Sequence, residues 1–361
     1  MNYNMKKSIE RDSKLELIRI FSMLFIVSSH YVLHGGIVNE VTGFDFNGLT
    51  SDFLYIGGKI GANLFIMLSG YLLCDCIYKT ERLLKTALIT LFYSTIGLLL
   101  GLIVFNDISV IDIIKSFFPI ITDRYWFVTT YFLILVFMPY LNYAIIILNK
   151  KQLEFLLLLG FVLWCFIPTF FNQDLNFSNF IWFIFLYILG SGMKKYKFLY
   201  VDTAKSFIIS LVFYLLIFIS IQLLKLCSLQ SEFFETKIYF FTNSHSILTF
   251  FFTVFFFNGM LSLKSFTNYW INKVAKATFA IYLIHDNDFI REWLWKDLLK
   301  VSDYRHSSIF IWHYIFSILL IFLIGVILEI LREVVFKMLL EDKIKKISTN
   351  CNLILRKFFP E

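Results

Sequence analysis

Apolar runs, each near the roughly 20 residues a helix needs to cross a bilayer, alternate along this chain with short polar segments. They fall at 11–36, 54–76, 86–105, 125–147, 152–171, 179–193, 206–226, 246–263, 275–290 and 308–336. None shows the period-two alternation of a membrane β-strand. The pattern predicts an all-α, polytopic integral membrane protein of about ten transmembrane helices. The polar segments add an orientation. Basic residues crowd the N-terminus (Lys6, Lys7, Arg11, Lys14), alternate loops (Lys79, Arg82, Lys85; Lys150, Lys151; Lys194, Lys195, Lys197, Lys205; Lys264, Lys273, Lys276) and the end of the chain (Lys337, Lys343, Lys345, Lys346, Arg356, Lys357). That is about 22 on one side, against about 8 in the opposite loops. Positive charge stays inside, so both termini are expected in the cytoplasm. Residues 1–336 then form one membrane-embedded domain, and 337–361 a basic cytoplasmic tail suited to anionic membrane lipids.

Composition agrees with this reading and removes others. With 58% hydrophobic and 16% charged residues over 361 positions, the chain is no string of soluble domains. Only 4 Pro and 15 Gly leave long helices largely unbroken. The formal charge of +7 is accounted for by lysines spread between spans, so no nucleic-acid partner is expected. Five cysteines, odd in number and scattered, form no disulfide framework. The start lacks the short apolar region and small-residue cleavage site of a signal peptide. Abundant Phe, Ile, Leu, Tyr, Lys and Asn fit AT-rich coding DNA, a hint of a bacterial gene; for such a multi-pass chain the expected location is the bacterial inner membrane.

Two ionisable residues interrupt the first run. Arg19 and His30 stand eleven apart, so about 100° per residue returns them to within roughly 20° of one helical face, about 16 Å apart along the axis. A charged group at bilayer depth costs about 2.5–3.5 kcal/mol on insertion scales and marks a candidate functional site. Arg19 is close enough to the inner end to snorkel into the headgroups. All six histidines (His30, His34, His245, His285, His306, His313) fall in the outward half or the outward loops, where imidazole can handle protons. His30 and His34 have a spacing that can hold zinc, but no third ligand sits at a recognisable distance, so no metal is expected.

The Arg19–His30 spacing, followed by Leu33, His34, Gly35 and Gly36, resembles the opening helix of the acyltransferase-3 family, membrane enzymes that O-acylate surface polysaccharides and related glycans. Matching segments follow in order: GANLFIMLSGYLL from Gly61, RYWFVTTYFLILVFMPYLN from Arg124, FLYILGSGMKKY from Phe185, YFFTNSHSILTF from Tyr239 and ATFAIYLIH from Ala277. Some branches of the family carry a carboxylate where this chain has Asn63. The resemblance names no carboxylate partner for His30.

The resemblance implies transfer of an acyl group, acetyl by family habit, from cytoplasmic acyl-CoA to a hydroxyl of a surface polysaccharide or lipid-linked glycan. No cofactor is expected to stay bound, acyl-CoA being a co-substrate. Such a reaction needs a base at the hydroxyl and a positive or hydrogen-bonding group at the developing oxyanion. His30 is expected as that base, or as a transient acyl carrier. Arg19 is expected to grip the phosphates or pantetheine arm of the donor. Lys79 and Arg82, closing the second span three apart on one helical face, would complete the grip, though positive-inside statistics explain them equally. Asn63, Ser69, Tyr71, Arg124, Trp126, Tyr282 and His285 are candidates for acceptor binding or a pore lining. Each has a plainer reading: close packing for Ser69 and Tyr71, interfacial anchoring for Trp126, and a polar helix end for Tyr282, His285, Asp286 and Asp288. A transporter or flippase is the rival function, although neither related halves nor paired interrupted helices are visible.

Overall fold

The computed structural model describes residues 11–39, 44–105, 107–173, 177–198, 201–355 and 357–359. The basic positions Lys6, Lys7 and Arg356 lie outside the described residues. In chain order the helices are α1 (Ser13–His34), α2 (Phe46–Tyr55), α3 (Gly57–Leu73), α4 (Thr80–Val104), α5 (Val110–Phe117), α6 (Trp126–Ile147), α7 (Lys150–Phe161), α8 (Ile167–Phe171), α9 (Asn179–Tyr196), α10 (Thr203–Ser228), α11 (Glu232–Glu235), α12 (Ile247–Ser262), α13 (Tyr269–His285), α14 (Asp288–Glu292), α15 (Phe310–Leu339) and α16 (Glu341–Leu355). No strand occurs among the described residues.

Among the described residues, eight helical stretches are long and apolar enough to cross a membrane. The other two expected spans, 179–193 and 275–290, are also helical, as α9 and α13, but polar residues shorten their apolar length. Lys194 and Lys195 close α9, while Asn272, Lys273 and Lys276 occupy the first turns of α13. Both lie inside the bundle: Trp182, Leu186 and Tyr187 of α9 and Ile281 and Leu283 of α13 are fully buried. An interior helix needs no long lipid-facing stretch, so its apolar run is the hardest to delimit from sequence. Lys79 and Arg82 do not close the second span, because α3 has already ended at Leu73. Lys79 caps the start of α4 in an extended conformation, so the pair does not share one helical face.

The loops placed on one side by charge meet one another. Ser13 N–H donates to the Phe266 carbonyl at 2.8 Å and Lys14 Nζ to that of Leu261 at 3.1 Å. Lys195 Nζ reaches the Ile145 carbonyl at 2.6 Å, Thr203 bonds to Ser262, and Thr80 donates to Asn352 of α16. A small cavity lined by Tyr71, Lys194, Lys197 and Leu261 joins these groups. The start of α1 and the C-terminal helix therefore share one end of the bundle. At the other end Asn47 bonds to the Arg305 and Ser307 carbonyls, and Asp45 pairs with buried Arg305 at 2.8 Å. That guanidinium holds the Asp45 carboxyl down at about 2.

Helices in lipid gain no hydrophobic drive from meeting each other, so close packing has to hold them together. α3 and α9 achieve it through two glycines. A Cβ on Gly70 would stand 2.1 Å from the Tyr187 carbonyl oxygen, and one on Gly190 2.1 Å from that of Met67. Backbone cannot yield as a side-chain tip can. Gly190→Ala is therefore expected to destabilise the bundle by about 1–3 kcal/mol, read as a lower melting temperature in detergent. Unchanged melting would show that the two backbones do not touch.

Candidate active site

At the end opposite the termini a cavity of about 190 Å³ opens between α1, α2, α3, α6 and α13. His30, His34, Tyr55, Lys59, Trp126, Asn243, Tyr282, Asp286 and Arg291 are among its lining residues. α1 brings His30 and His34 there because it runs unbroken from its Asp12 cap, whose side chain accepts from Lys14 N–H, and stops directly after His34. Gly36, at φ +81°, makes the turn that ends it, a conformation an L side chain rarely takes. α13 stops at His285, Asp286 closes it, and the Asn287 side chain caps α14 by accepting from Phe289 N–H. This break sets an imidazole and a carboxylate side by side against α1. Asn287 also donates to Tyr125 Oη at 2.6 Å, which fixes the break against α6.

A chain of hydrogen bonds then assigns protons. His285, fully buried, has Nδ1 2.6 Å from the Ile281 carbonyl oxygen and Nε2 3.0 Å from Nδ1 of His30. A carbonyl only accepts, so Nδ1 of His285 carries the hydrogen. In the neutral ring its Nε2 is then bare and accepts from Nδ1–H of His30. His30, in its neutral form, keeps an unshared lone pair on Nε2, which is the atom a general base needs.

Charge surrounds this pair. Asp286 Oδ1 lies 3.7 Å from His30 Nδ1, 3.5 Å from His34 Nε2 and 3.5 Å from an Arg291 nitrogen. Lys59 holds its ammonium 4.4 Å from the centre of the Trp126 ring, a cation–π contact within the cavity wall. The cavity thus offers a hydrogen-bonded base, two cations, one carboxylate, and an indole face.

Of the residues anticipated from sequence, the fold brings His30, His285, Tyr282 and Trp126 together. The others lie elsewhere. Arg19, on the same helix as His30, is 3.7 Å from Glu16 and one third exposed. Lys79 is exposed, and Arg82 directs a nitrogen to Met138 Sδ at 3.4 Å. Ser69 bonds back to the Phe65 carbonyl, and Tyr71 lines the small cavity at the terminal end. Arg124 is buried, bonded to the Asp112 carbonyl and Ser116, 3.5 Å from Asp288 and flat on Phe289, so it ties α5 to α14. Asn63 is fully buried, donating to the Ser244 carbonyl and accepting from Trp182 Nε1–H.

Sequence reasoning passed over Lys59 and gave Arg291 no part in the site. Lys59 stands inside an apolar run, as Arg19 does, so the rule that singled out Arg19 applied to it as well. Asp286 had been noted only as part of a polar helix end. It is the carboxylate the fold sets beside His30, at 3.7 Å, and with His30 and His34 it makes a group that could hold a metal ion.

A family model described as an acyltransferase domain matches residues 12–330. No curated protein and no solved structure matches the chain. The match spans α1 to α15 and includes every residue of the cavity named above.

Asn63 provides a check on the division between cavity and scaffold. Asn63→Leu leaves the Trp182 N–H and the Ser244 carbonyl unpaired in a buried place, at about 1–3 kcal/mol for each group. The expected result is a clear drop in melting temperature. A variant that melts like the wild type would mean that Asn63 does not bridge α9 and the segment before α12.

Proposed function

This chain belongs to the acyltransferase-3 family of membrane acyltransferases, and from that premise we propose that it carries an acyl group, acetyl by family habit, from cytoplasmic acyl-CoA to a hydroxyl of a surface polysaccharide or lipid-linked glycan at the outer face of a bacterial inner membrane. The observation that carries the reading is the hydrogen-bonded pair His30–His285, which leaves a lone pair on Nε2 of His30, a residue that lines the cavity. A hydroxyl placed there gives its proton to Nε2 while its oxygen attacks the thioester carbonyl. The carbonyl oxygen becomes an oxyanion, to which the Lys59 ammonium in the cavity wall offers positive charge. The thiolate leaves and takes a proton, and the imidazolium returns to its neutral form.

The indole of Trp126 offers an apolar face to a sugar ring, and Asn243 and Thr242 supply polar groups to its hydroxyls. Arg19 has a separate task in this scheme. It faces the end of the bundle that carries the basic loops, where a guanidinium suits the donor's phosphates. Transfer by a transient acyl-His30 uses the same lone pair and the same cation. Family membership removes the support for the rival transporter.

Mass spectrometry of the surface glycan with and without the gene is expected to differ by one acetyl per modified unit, and an unchanged glycan overturns the reading. His30→Ala is expected to abolish the modification while the protein still inserts; retained transfer removes His30 as base or carrier. Arg19→Ala is expected to weaken acyl-CoA binding more than Arg19→Lys does. Equal affinity in all three forms takes Arg19 out of the donor site.

A further inference from the structure

Asp286 Oδ1 stands from both His30 Nδ1 and His34 Nε2 at the spacing of neighbouring metal ligands. Donors about 2.0–2.2 Å from a tetrahedral zinc ion stand roughly 3.4 Å from one another. Asp286 Oδ1 lies 3.5 Å from His34 Nε2 and 3.7 Å from His30 Nδ1. The three side chains can present ligand atoms that all fall within 4.8 Å of one another. The set is built from both helices, with two donors four residues apart on α1 and the third at the end of α13. All three residues line the cavity, which gives an ion a route in. His285 Nε2 lies 3.0 Å from this same Nδ1, so an ion there takes the place of the hydrogen bond between the two rings. Two imidazoles and one carboxylate suit zinc and its neighbours and not magnesium, which prefers oxygen donors.

We propose that His30, His34 and Asp286 form a binding site for a divalent ion of the zinc class, reached through the cavity, and that filling it stops acyl transfer. The second half rests on the reading of His30 as the transfer base. An ion on Nε2 takes the lone pair directly. An ion on Nδ1 displaces the hydrogen there onto Nε2, breaks the bond to His285 and leaves the base equally blocked. Arg291 touches the same oxygen of Asp286 at 3.5 Å, so the ion has to share or displace a cation. Binding is therefore weaker than at a dedicated structural zinc site and reversible by a chelator, which makes the site a brake and not a permanent cofactor site.

The test begins with binding alone. Purified protein in detergent, stripped with a chelator, is titrated with zinc against a coloured competing chelator. Cobalt(II) serves as the spectroscopic probe and magnesium as the control. The expected result is one zinc per chain and a visible cobalt spectrum of low coordination number, with no response to magnesium. His34→Gln, checked for wild-type melting, is expected to bind zinc at least about tenfold more weakly, and Asp286→Asn provides a second variant should the first fail to fold. No uptake, or uptake equal in the variants, overturns the site. Transfer is then assayed across the same zinc range and after chelator is added back. Inhibition that follows the binding curve and reverses supports the brake, whereas full activity with the site filled overturns it. If the protein transfers nothing even without zinc, the acyl-transfer reading is what has failed, and the titration still decides the metal site.

Discussion

Inside a membrane protein a polar side chain has no bulk water to fall back on, so each one buried there must be paired within the fold. Three clusters in this bundle meet that constraint. Asp52 is held by Lys225 at 2.7 Å, by Gln222 and by Tyr239, with both charges almost wholly buried. Glu329 is held by Arg332 through two bonds and by Tyr93. The third is His30 and His285 with Asp286 and Arg291. The first two are closed, because every charge faces its partner and neither contributes a residue to the cavity around His30. Such pairs fix helices against one another at a cost in desolvation. The third opens onto that cavity. Exposure to a cavity, more than the presence of charge, separates the candidate site from the two clusters that hold the bundle together.

α1 links the two ends of the molecule. Its unbroken run from Ser13 to His34 preserves the helical relation of Arg19 and His30, so the separation of about 16 Å along the axis stands as a property of one rigid element. Arg19 sits with Glu16 toward the end where the basic loops gather, and His30 lies at the opposite end. In the proposed reaction the donor's charge and the acceptor's hydroxyl are handled at the two ends of one helix, a geometry that a continuous helix fixes better than loops would.

How far the sequence foreshadowed this depends on how local each feature is. A helix is a repeat of near neighbours, so the apolar runs gave the all-α class and, through the Lys and Arg bias, the sidedness that the loop contacts later followed. Arg19 and His30 were legible because a single helix relates them. The His30–His285 bond joins residues 255 positions apart, and no spacing rule reaches that distance. Asn63 and Arg124 show the converse case. Polar residues near an expected site look functional in sequence, and only their partners, Trp182 and Ser244 for one and Ser116 and Asp288 for the other, reveal that they hold the scaffold. Lys59 was missed for a different reason: it lies near the start of an expected span, where a lysine passes for an interfacial residue.

The arrangement of His30, His285 and Asp286 differs from a linear triad in which a carboxylate backs the base. The group bonded to Nδ1 of His30 is a second imidazole, itself anchored to a backbone carbonyl, and Asp286 stands to the side at 3.7 Å, shared with His34 and Arg291. Orientation and electrostatics are thereby divided between two residues. His285 accepts from Nδ1–H of His30 whether or not His30 is charged, and sets the tautomer of the neutral ring. Asp286 interacts weakly with a neutral ring but strongly with an imidazolium, since opposite charges about 4 Å apart attract by about 4 kcal/mol at an effective dielectric of 20. In the proposed reaction that attraction grows as the proton arrives on Nε2, favouring the transition state over the ground state, which is the condition for catalysis. Arg291, on the same carboxylate oxygen, offsets part of the effect.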